Sequence, residues 1–215
     1  MVDSVIEPGL SFHRPSRAMS EAASEQASVR LRRLVEEYFD VVYRAARRFG
    51  TPPSFVDDCA QQVFLVAASK LDSMAPASER AFLLGTTFRL SKEFRRRSAD
   101  VPATVDSEKV MLAGADSTPD LEEIVDRKRA RLVLDDLLAE MPEDLRAAFV
   151  LYEIEGITVP EIAQVLDIAP GTAASRLRRA REAFERGVER HRARERFRGE
   201  QARVVRSALH EGREP

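Results

Sequence analysis

The sequence has no tryptophan, a single cysteine and no apolar run that approaches the length of a membrane span. Because a disulfide needs two cysteines, the lone Cys59 excludes an internal disulfide and any cysteine-based metal cluster. A membrane-spanning helix needs about 20 mostly apolar residues, and the N-terminus lacks the hydrophobic core of a signal peptide. We therefore predict a cytoplasmic protein without membrane insertion, in which Cys59 is a buried structural thiol.

Histidine is also scarce, and its three copies lie towards the ends of the chain: His13, His191 and His210. The acidic pairs Asp57-Asp58 and Asp135-Asp136 occupy adjacent positions on predicted helices, so their side chains diverge. Neither pair can easily share a substrate or a metal ion. The sequence therefore predicts no catalytic residue, no metal site and no cofactor, which argues against an enzyme.

Charged residues are abundant, but the net charge of −2 conceals how unevenly they are distributed. Residues 30–98 contain thirteen Lys and Arg against eight Asp and Glu, whereas residues 99–125 contain one against seven. Residues 189–215 are basic again, with eight against five. Two basic regions thus flank an acidic connector, a pattern that permits nucleic-acid binding despite the low overall pI.

Apolar residues recur with the period of a helix in most segments, and no useful stretch has the period of a strand. We predict an all-α protein of two small helical domains joined by a flexible acidic linker. The segments are a disordered tail at 1–28, a helical domain at 29–98, the linker at 99–118, a second helical domain at 119–188 and a basic extension at 189–215. A flexible linker of this length lets the two domains sit apart and move independently.

The segment 156–180 predicts a helix-turn-helix. Thr158 and Glu161 form a capping box at the start of its first helix, and residues 167–171 make a short turn. One side of the second helix is apolar, and hydroxyl and arginine side chains lie opposite or on its flanks: Thr172, Ser175, Arg176, Arg178 and Arg179. A helix that enters the major groove needs this composition. A solvated amphipathic surface helix is the alternative interpretation.

Residues 141–184 resemble region 4, the C-terminal DNA-binding region of bacterial RNA polymerase sigma factors of the extracytoplasmic-function type. The resemblance rests on Pro142-Glu143, Glu155-Gly156, Glu161-Ile162-Ala163 and the run from Gly171-Thr172 to Arg181. Upstream, residues 57–64 resemble the region 2 signature of the same family. The basic helix that starts at Arg80 resembles the helix that follows this signature.

Three positions depart from the family pattern. Phe82 replaces the usual Trp, Gln62 replaces Glu, and Arg89 stands where Asn is frequent. The helix assigned to the promoter −10 element is therefore the least typical part of the resemblance.

The resemblance implies a sigma factor that binds core RNA polymerase and directs promoter recognition, DNA melting and transcription initiation. It makes 29–98 sigma region 2 and 119–188 sigma region 4, with the acidic linker in the RNA channel of the polymerase. The implied polymerase contacts are Asp58, Gln61, Gln62 and Leu65. The loop 72–79 would receive an extruded −10 base, and the implied contacts to the −10 strand are Arg89, Lys92, Phe94, Arg95 and Arg96. The five recognition-helix residues would contact the −35 element.

Two other functions fit parts of the sequence. A free-standing helix-turn-helix regulator would bind operator DNA without polymerase, although no clear dimerisation heptads are present. A regulatory decoy would keep partner binding and lack promoter melting. The extension 189–215 suits a regulatory helix, an inhibitor-docking site or a frayed tail, and an anti-sigma factor is a further partner that the resemblance allows.

Overall fold

The computed structural model of the chain describes residues 17–99 and 121–211, and every regular element in these ranges is helical. The first half (17–99) contains α1 (Arg17–Arg48), α2 (Val56–Lys70) and α3 (Glu79–Ala99). The second half (121–211) contains α4 (Leu121–Ala139), α5 (Glu143–Phe149), α6 (Val159–Leu166) and α7 (Pro170–Glu211). The predicted all-α fold is confirmed.

The core of the first half forms where α1, α2 and α3 each bury one apolar stripe. Its buried side chains include Leu34, Val42, Val56, Ala60, Val63 and Leu83. Cys59 lies among them as predicted, and burial raises the pKa of its thiol. The hydroxyls of Thr51 and Ser91 lie 4.0 and 3.9 Å from the thiol sulfur and are hydrogen-bonded to each other at 2.8 Å. This thiol is packed as a small apolar group.

In the second half, α5 continues directly into a single turn of π-helix at Val150–Ile154. Gly156 then adopts a φ of +65°, a conformation in which a side chain is strained, and ends the turn. The buried residues of α5 and α6 pack against α7, with the rings of Phe149 and Phe184 stacked 4.5 Å apart. The long helix α7 is thus fixed at its N-terminal part by the two short helices before it.

The two halves are in contact, whereas the linker length had suggested that they could sit apart. Ala45 of α1, Phe49 just after α1 and Leu84 of α3 belong to the same buried cluster as the core of the second half. A Cβ atom at Gly85 would lie 3.3 Å from the side chain of Val165 on α6. The absence of a side chain at Gly85 therefore lets α3 and α6 approach each other closely.

Two predicted segments differ from the structure at their ends. Helix α1 begins at Arg17, so residues 17–28 are helical where a disordered tail was predicted. They lack an apolar stripe, but four of the twelve are alanine and two are glutamate, which favour helix. Helix α7 runs on to Glu211 and takes most of the extension 189–215 with it. The predicted tail before Arg17 and nearly all of the linker 99–118 lie outside the described residues.

Candidate nucleic-acid interface

Helix α6 begins at the predicted capping box. The carboxylate of Glu161 accepts hydrogen bonds from the backbone N–H of Thr158 at 2.9 Å and from its hydroxyl at 2.5 Å. These bonds lower the pKa of Glu161, because they favour the charged carboxylate. At the other end, Asp167 adopts a φ of 52°, and the N–H of Ile168 donates back into α6. The short turn that the helix-turn-helix requires is present.

Helix α7 presents the predicted recognition face to solvent. Its buried side is Ala173, Leu177 and Ala180. Four of the five predicted −35 residues are exposed: Thr172, Ser175, Arg178 and Arg179. The fifth, Arg176, is half-buried, and its Nε lies 3.4 Å from a carboxylate oxygen of Asp144. The structure therefore brings all five together at the start of α7, with Arg176 held against α5.

Helix α3 carries the residues predicted for the −10 element. Arg89, Lys92 and Arg96 are exposed, and their spacing places them on one face of the helix. The guanidinium of Arg89 donates to the hydroxyl of Thr86 at 3.1 Å. Gly85 lies four residues before Arg89, so α6 packs on the N-terminal part of this same face. The face is basic towards its C-terminal end and covered towards its N-terminal end.

Phe94 is not on that face. It is 5% exposed in the core of the first half, where its ring stacks on Phe55 with centroids 5.6 Å apart. The guanidinium of Arg97 lies over the same ring, 5.5 Å from its centroid. A base has no access to Phe94 in this conformation, and we remove it from the candidate DNA contacts.

Arg95 is placed between the halves. It donates to the backbone carbonyl of Phe49 and forms an ion pair with Glu143 at 2.8 Å. Arg95 is therefore occupied in the contact between the halves while they are closed, unlike Arg89, Lys92 and Arg96.

Helix α2 presents the predicted polymerase-binding residues on the side opposite its core stripe. Asp58, Gln61 and Leu65 are exposed and Gln62 is half-buried. Leu65 is 65% exposed, which is a large exposed fraction for an aliphatic side chain in the middle of a helix. An apolar residue between polar ones suits a protein-binding surface.

One further aromatic residue lies beside this surface and was not predicted from the sequence. Phe39 of α1 is 38% exposed and stacks on Phe64 of α2, with ring centroids 6.3 Å apart. The sequence did not predict a role for Phe39, because the neighbouring Tyr38 has the spacing of the apolar stripe of α1 and Phe39 does not. Phe39 extends the candidate protein-binding surface from α2 onto α1.

Ion pairs connect the halves around the shared core. Glu155, at the end of the π-helical turn, is buried and pairs with Arg48 of α1 at 3.4 Å and Arg80 of α3 at 3.1 Å. Burial lowers the pKa of Arg48, and Glu155 opposes that effect. Arg47 pairs with Asp135 of α4 at 3.2 Å. No local sequence signal reveals these pairs, because their partners are 75 to 107 residues apart.

The loop predicted to receive an extruded base connects α2 to α3. It consists of two single turns of 3₁₀ helix, Leu71–Ser73 and Pro76–Ser78, and most of its side chains are exposed. Leu71 and Met74 are its buried anchors. The guanidinium of Arg30 on α1 bonds to the backbone of this loop. Arg30 was not singled out by the sequence, because it lies in an arginine-rich run on α1.

The described residues hold neither a candidate metal site nor a candidate membrane span. Over residues 17–99 and 121–211, no three His, Cys, Asp or Glu side chains are grouped so that they could hold a metal ion. None of the helices in these ranges is both long and apolar enough to cross a membrane.

Comparisons with known proteins converge on one family. A family model for region 4 of sigma-70 factors matches residues 131–184. The chain is 30% identical over 164 residues to the ECF RNA polymerase sigma-E factor of Escherichia coli K12, across 73% of this chain and 85% of that relative. It is 27% identical over 175 residues to the ECF RNA polymerase sigma factor SigE of Mycolicibacterium smegmatis, across 81% of this chain and 68% of that relative.

A solved structure shares the fold. The sigma factor RpoE of Bartonella quintana, in its complex with the anti-sigma factor NepR, matches with a TM-score of 0.54 and 21% identity. The match covers 74% of this chain and 96% of that chain.

Proposed function

The chain belongs to the extracytoplasmic-function family of RNA polymerase sigma factors, and we propose which of its surfaces bind core polymerase, the −35 element and the −10 element. The chain binds core RNA polymerase and directs promoter recognition, DNA melting and transcription initiation. We place this activity in the cytoplasm and assign no catalytic step to the chain. An anti-sigma factor is a further proposed partner, in line with the complex known for RpoE.

We assign the −35 element to the start of α7. The observation that carries this proposal is the exposed face with Thr172, Ser175 and Arg179, supported from behind by the capped helix α6. Small hydroxyl side chains let the tip of a helix enter the major groove, and guanidinium groups bond to guanine or to phosphate. The positive end of the helix dipole at the start of α7 favours a phosphate there as well.

The −10 element is assigned to Arg89, Lys92 and Arg96 of α3 and to the loop 72–79. The three cations share one face, which suits the phosphates of a separated strand. The loop lies N-terminal to α3 and is held by buried anchors, as a receptacle for an extruded base must be.

Core polymerase is assigned to the outer face of α2, with Asp58, Gln61, Gln62 and Leu65, and to the neighbouring ring of Phe39. An exposed Leu and a partly exposed Phe provide apolar area, while the surrounding polar groups provide specificity. None of these residues takes part in the contact between the halves, so the surface is available while they are closed.

Reading both promoter elements requires the two halves to separate. Elements centred near −35 and −10 lie about 25 base pairs apart, or roughly 85 Å at the rise of duplex DNA. In the structure, α3 and α6 pack so closely that a Cβ at Gly85 would lie 3.3 Å from Val165, so the two DNA-binding faces are far closer than that. The connecting residues 100–120 span up to about 70 Å, and the size of the two halves themselves covers the rest of this distance. We infer that the closed arrangement is the unbound form.

A reconstituted transcription reaction tests the proposal. The RNA 5′ ends that appear after overexpression identify promoters, and run-off transcription with purified core polymerase then measures initiation on them. Arg179→Ala should lower initiation by about tenfold, since one good base or phosphate contact is worth about 1–3 kcal/mol. Arg186→Ala is the matched control, because it removes an exposed arginine two turns further along the same face of α7.

A second arm of the same experiment measures binding to core polymerase. Asp58→Ala should weaken it, whereas Asp57→Ala, which removes the neighbouring exposed carboxylate from a different side of α2, should not. The proposed function is refuted if no promoter is initiated. Tight sequence-specific binding to duplex DNA without polymerase would instead support a free-standing regulator.

A further inference from the structure

The guanidinium of Arg30 on α1 donates hydrogen bonds to three different residues. Its Nη1 donates to the carbonyl of Leu71 at 2.9 Å, and its Nη2 donates to the carbonyl of Met74 at 2.5 Å. Its Nε donates to the carboxylate of Glu79, the first residue of α3, also at 2.9 Å. One side chain therefore binds both ends of the first 3₁₀ turn and the start of the helix that follows the loop.

Glu79 is a buried carboxylate to which both Arg30 and Arg33 donate hydrogen bonds. It is 3% exposed, and its second carboxylate oxygen accepts from Arg33 at 2.5 Å. A buried carboxylate is tolerated when it is paired and hydrogen-bonded at both oxygens, and removing one partner leaves it poorly compensated. Arg33 is 53% exposed and bonds to this carboxylate, whereas Arg30 bonds both to the carboxylate and to the loop backbone.

The hydrogen bonds inside the loop each join residues three apart in the sequence, so none of them ties the loop to another element. The N–H of Met74 donates to the carbonyl of Leu71 at 3.3 Å, a long hydrogen bond, and the N–H of Ser78 donates to Ala75. The hydroxyls of Ser73 and Ser78 donate to the carbonyls of Lys70 and Ala75, and the N–H of Glu79 donates to Pro76. The other loop side chains, from Asp72 to Ser78 apart from Met74, are exposed. A short loop without α-helical or sheet bonds keeps one shape only if neighbouring groups fix its carbonyls.

We propose that Arg30 is a positioning residue for base recognition: by fixing the Leu71 and Met74 carbonyls and Glu79, it holds the loop 72–79 in the shape that receives the extruded −10 base. This inference rests on the proposed function, because that function assigns the loop to the −10 element. Arg30 itself does not contact DNA. It acts through the loop, so its loss lowers discrimination between bases rather than binding to polymerase or to the −35 element.

The first measurement is amide hydrogen exchange on the full chain. Arg30→Lys keeps the charge and removes the fork that binds two carbonyls at once. We expect faster exchange at residues 72–79 in this variant and little change in Arg33→Lys, which perturbs the same carboxylate only. Arg30→Gln is a second replacement, which removes the charge and retains a single NH2 group, in case circular dichroism shows that the lysine variant does not fold.

The second measurement is base discrimination. Run-off transcription is compared on four versions of each −10 position of a promoter found by 5′-end mapping. Arg30→Lys should reduce the ratio between the best and the worst base by about tenfold, since small displacements in a binding site have effects of this size or larger. Arg33→Lys should keep the ratio of the unmodified chain.

The outcomes separate the two proposals. Faster loop exchange with an unchanged base ratio overturns the role of Arg30 and leaves the sigma function intact. Unchanged loop exchange in both Arg30 variants overturns it as well. If the unmodified chain initiates nowhere, the proposed function fails, and with it the role of Arg30 in base recognition, whatever the exchange rates show.

Discussion

Gly50, two residues after the end of α1, has a backbone conformation that favours glycine and a side chain packed against it. Its φ is +85°, which strains any residue with a side chain. The guanidinium of Arg146 lies against it, so that a Cβ would be 2.9 Å from Nη2 and 3.1 Å from Cζ. Arg146 is 9% exposed, and burial together with the nearby Arg95 lowers its pKa. Moving it aside would disturb the contact between the halves.

Replacement of Gly50 by alanine should therefore be more costly than replacement of Gly156. Gly156 has a similar φ of +65° but nothing within 4 Å of the added Cβ, so Gly156→Ala pays the backbone strain alone. We expect about 1 kcal/mol for Gly156→Ala and about twice that for Gly50→Ala, by urea unfolding. Equal losses in the two variants would show that Arg146 yields without cost.

At the same scale, the placement of single residues was predictable where helical period alone decides it. Asp58, Gln61 and Leu65 were expected on the outer face of α2, and they lie there. The family resemblance implied that Phe94 contacts the −10 strand. However, Phe94 follows Leu90 by four residues and Leu83 by eleven, which places it on the buried stripe. At this position the helical period predicted the burial of the side chain better than the resemblance did.

At the scale of elements, the capping box of α6 links local sequence to the DNA-binding face. Thr158 and Glu161 fix the start of α6, and α6 supports the turn into α7. Such a cap was readable from the sequence because all its atoms lie within one helical turn. The start of α1 at Arg17 was not predicted, because the prediction relied on an apolar stripe and residues 17–28 have none.

Thr158→Ala should destabilise the second half by about 1 kcal/mol, the usual cost of losing an N-terminal cap. The control is Thr158→Ser, which keeps the hydroxyl and should be nearly neutral. Urea unfolding of the three proteins at neutral pH measures the difference. A loss in Thr158→Ser as large as that in Thr158→Ala would assign the effect to the methyl group of threonine rather than to the cap.

The same cap makes the stability of the fold depend on pH, with less stability at acidic pH. The pKa of Glu161 is lowered in the folded chain by its bonds from Thr158. A carboxyl with a lowered folded pKa stabilises the fold above its unfolded value of about 4.3, and this stabilisation is lost as the pH falls through the folded pKa. The difference between the unmodified chain and Thr158→Ala should therefore shrink when unfolding is measured below about pH 4.

At the scale of the whole molecule, the contact between the halves was the feature that the sequence did not predict. Glu155 meets Arg48 and Arg80 only because the second half folds back on the first. Each of these residues, taken alone, resembles an ordinary surface charge. Contacts over such separations depend on packing and leave no periodic pattern, so sequence period could predict both helical halves but not their arrangement.

Glu155→Gln should shift the equilibrium towards separated halves. Loss of a buried partner costs several kcal/mol at most, and because Arg80 is half-exposed we expect about 2 kcal/mol, or roughly a thirtyfold shift. Small-angle X-ray scattering of the full chain should show a larger radius of gyration. Glu153→Gln is the matched control, since Glu153 pairs at 2.6 Å with Arg181 within the second half. Identical scattering from both variants would contradict a role for Glu155 in closure.

The shared core also has a consequence for synthesis on the ribosome. Ala45, Phe49, Leu84 and the partly buried Phe88 need the second half to cover them. That half is translated later, and at about 5–20 residues per second most of it follows within roughly 5 to 25 seconds. During this interval the nascent first half presents an apolar patch to chaperones and to other chains. A product that ends near residue 99 would keep the patch uncovered permanently, so truncated copies are the form of this protein most prone to aggregate.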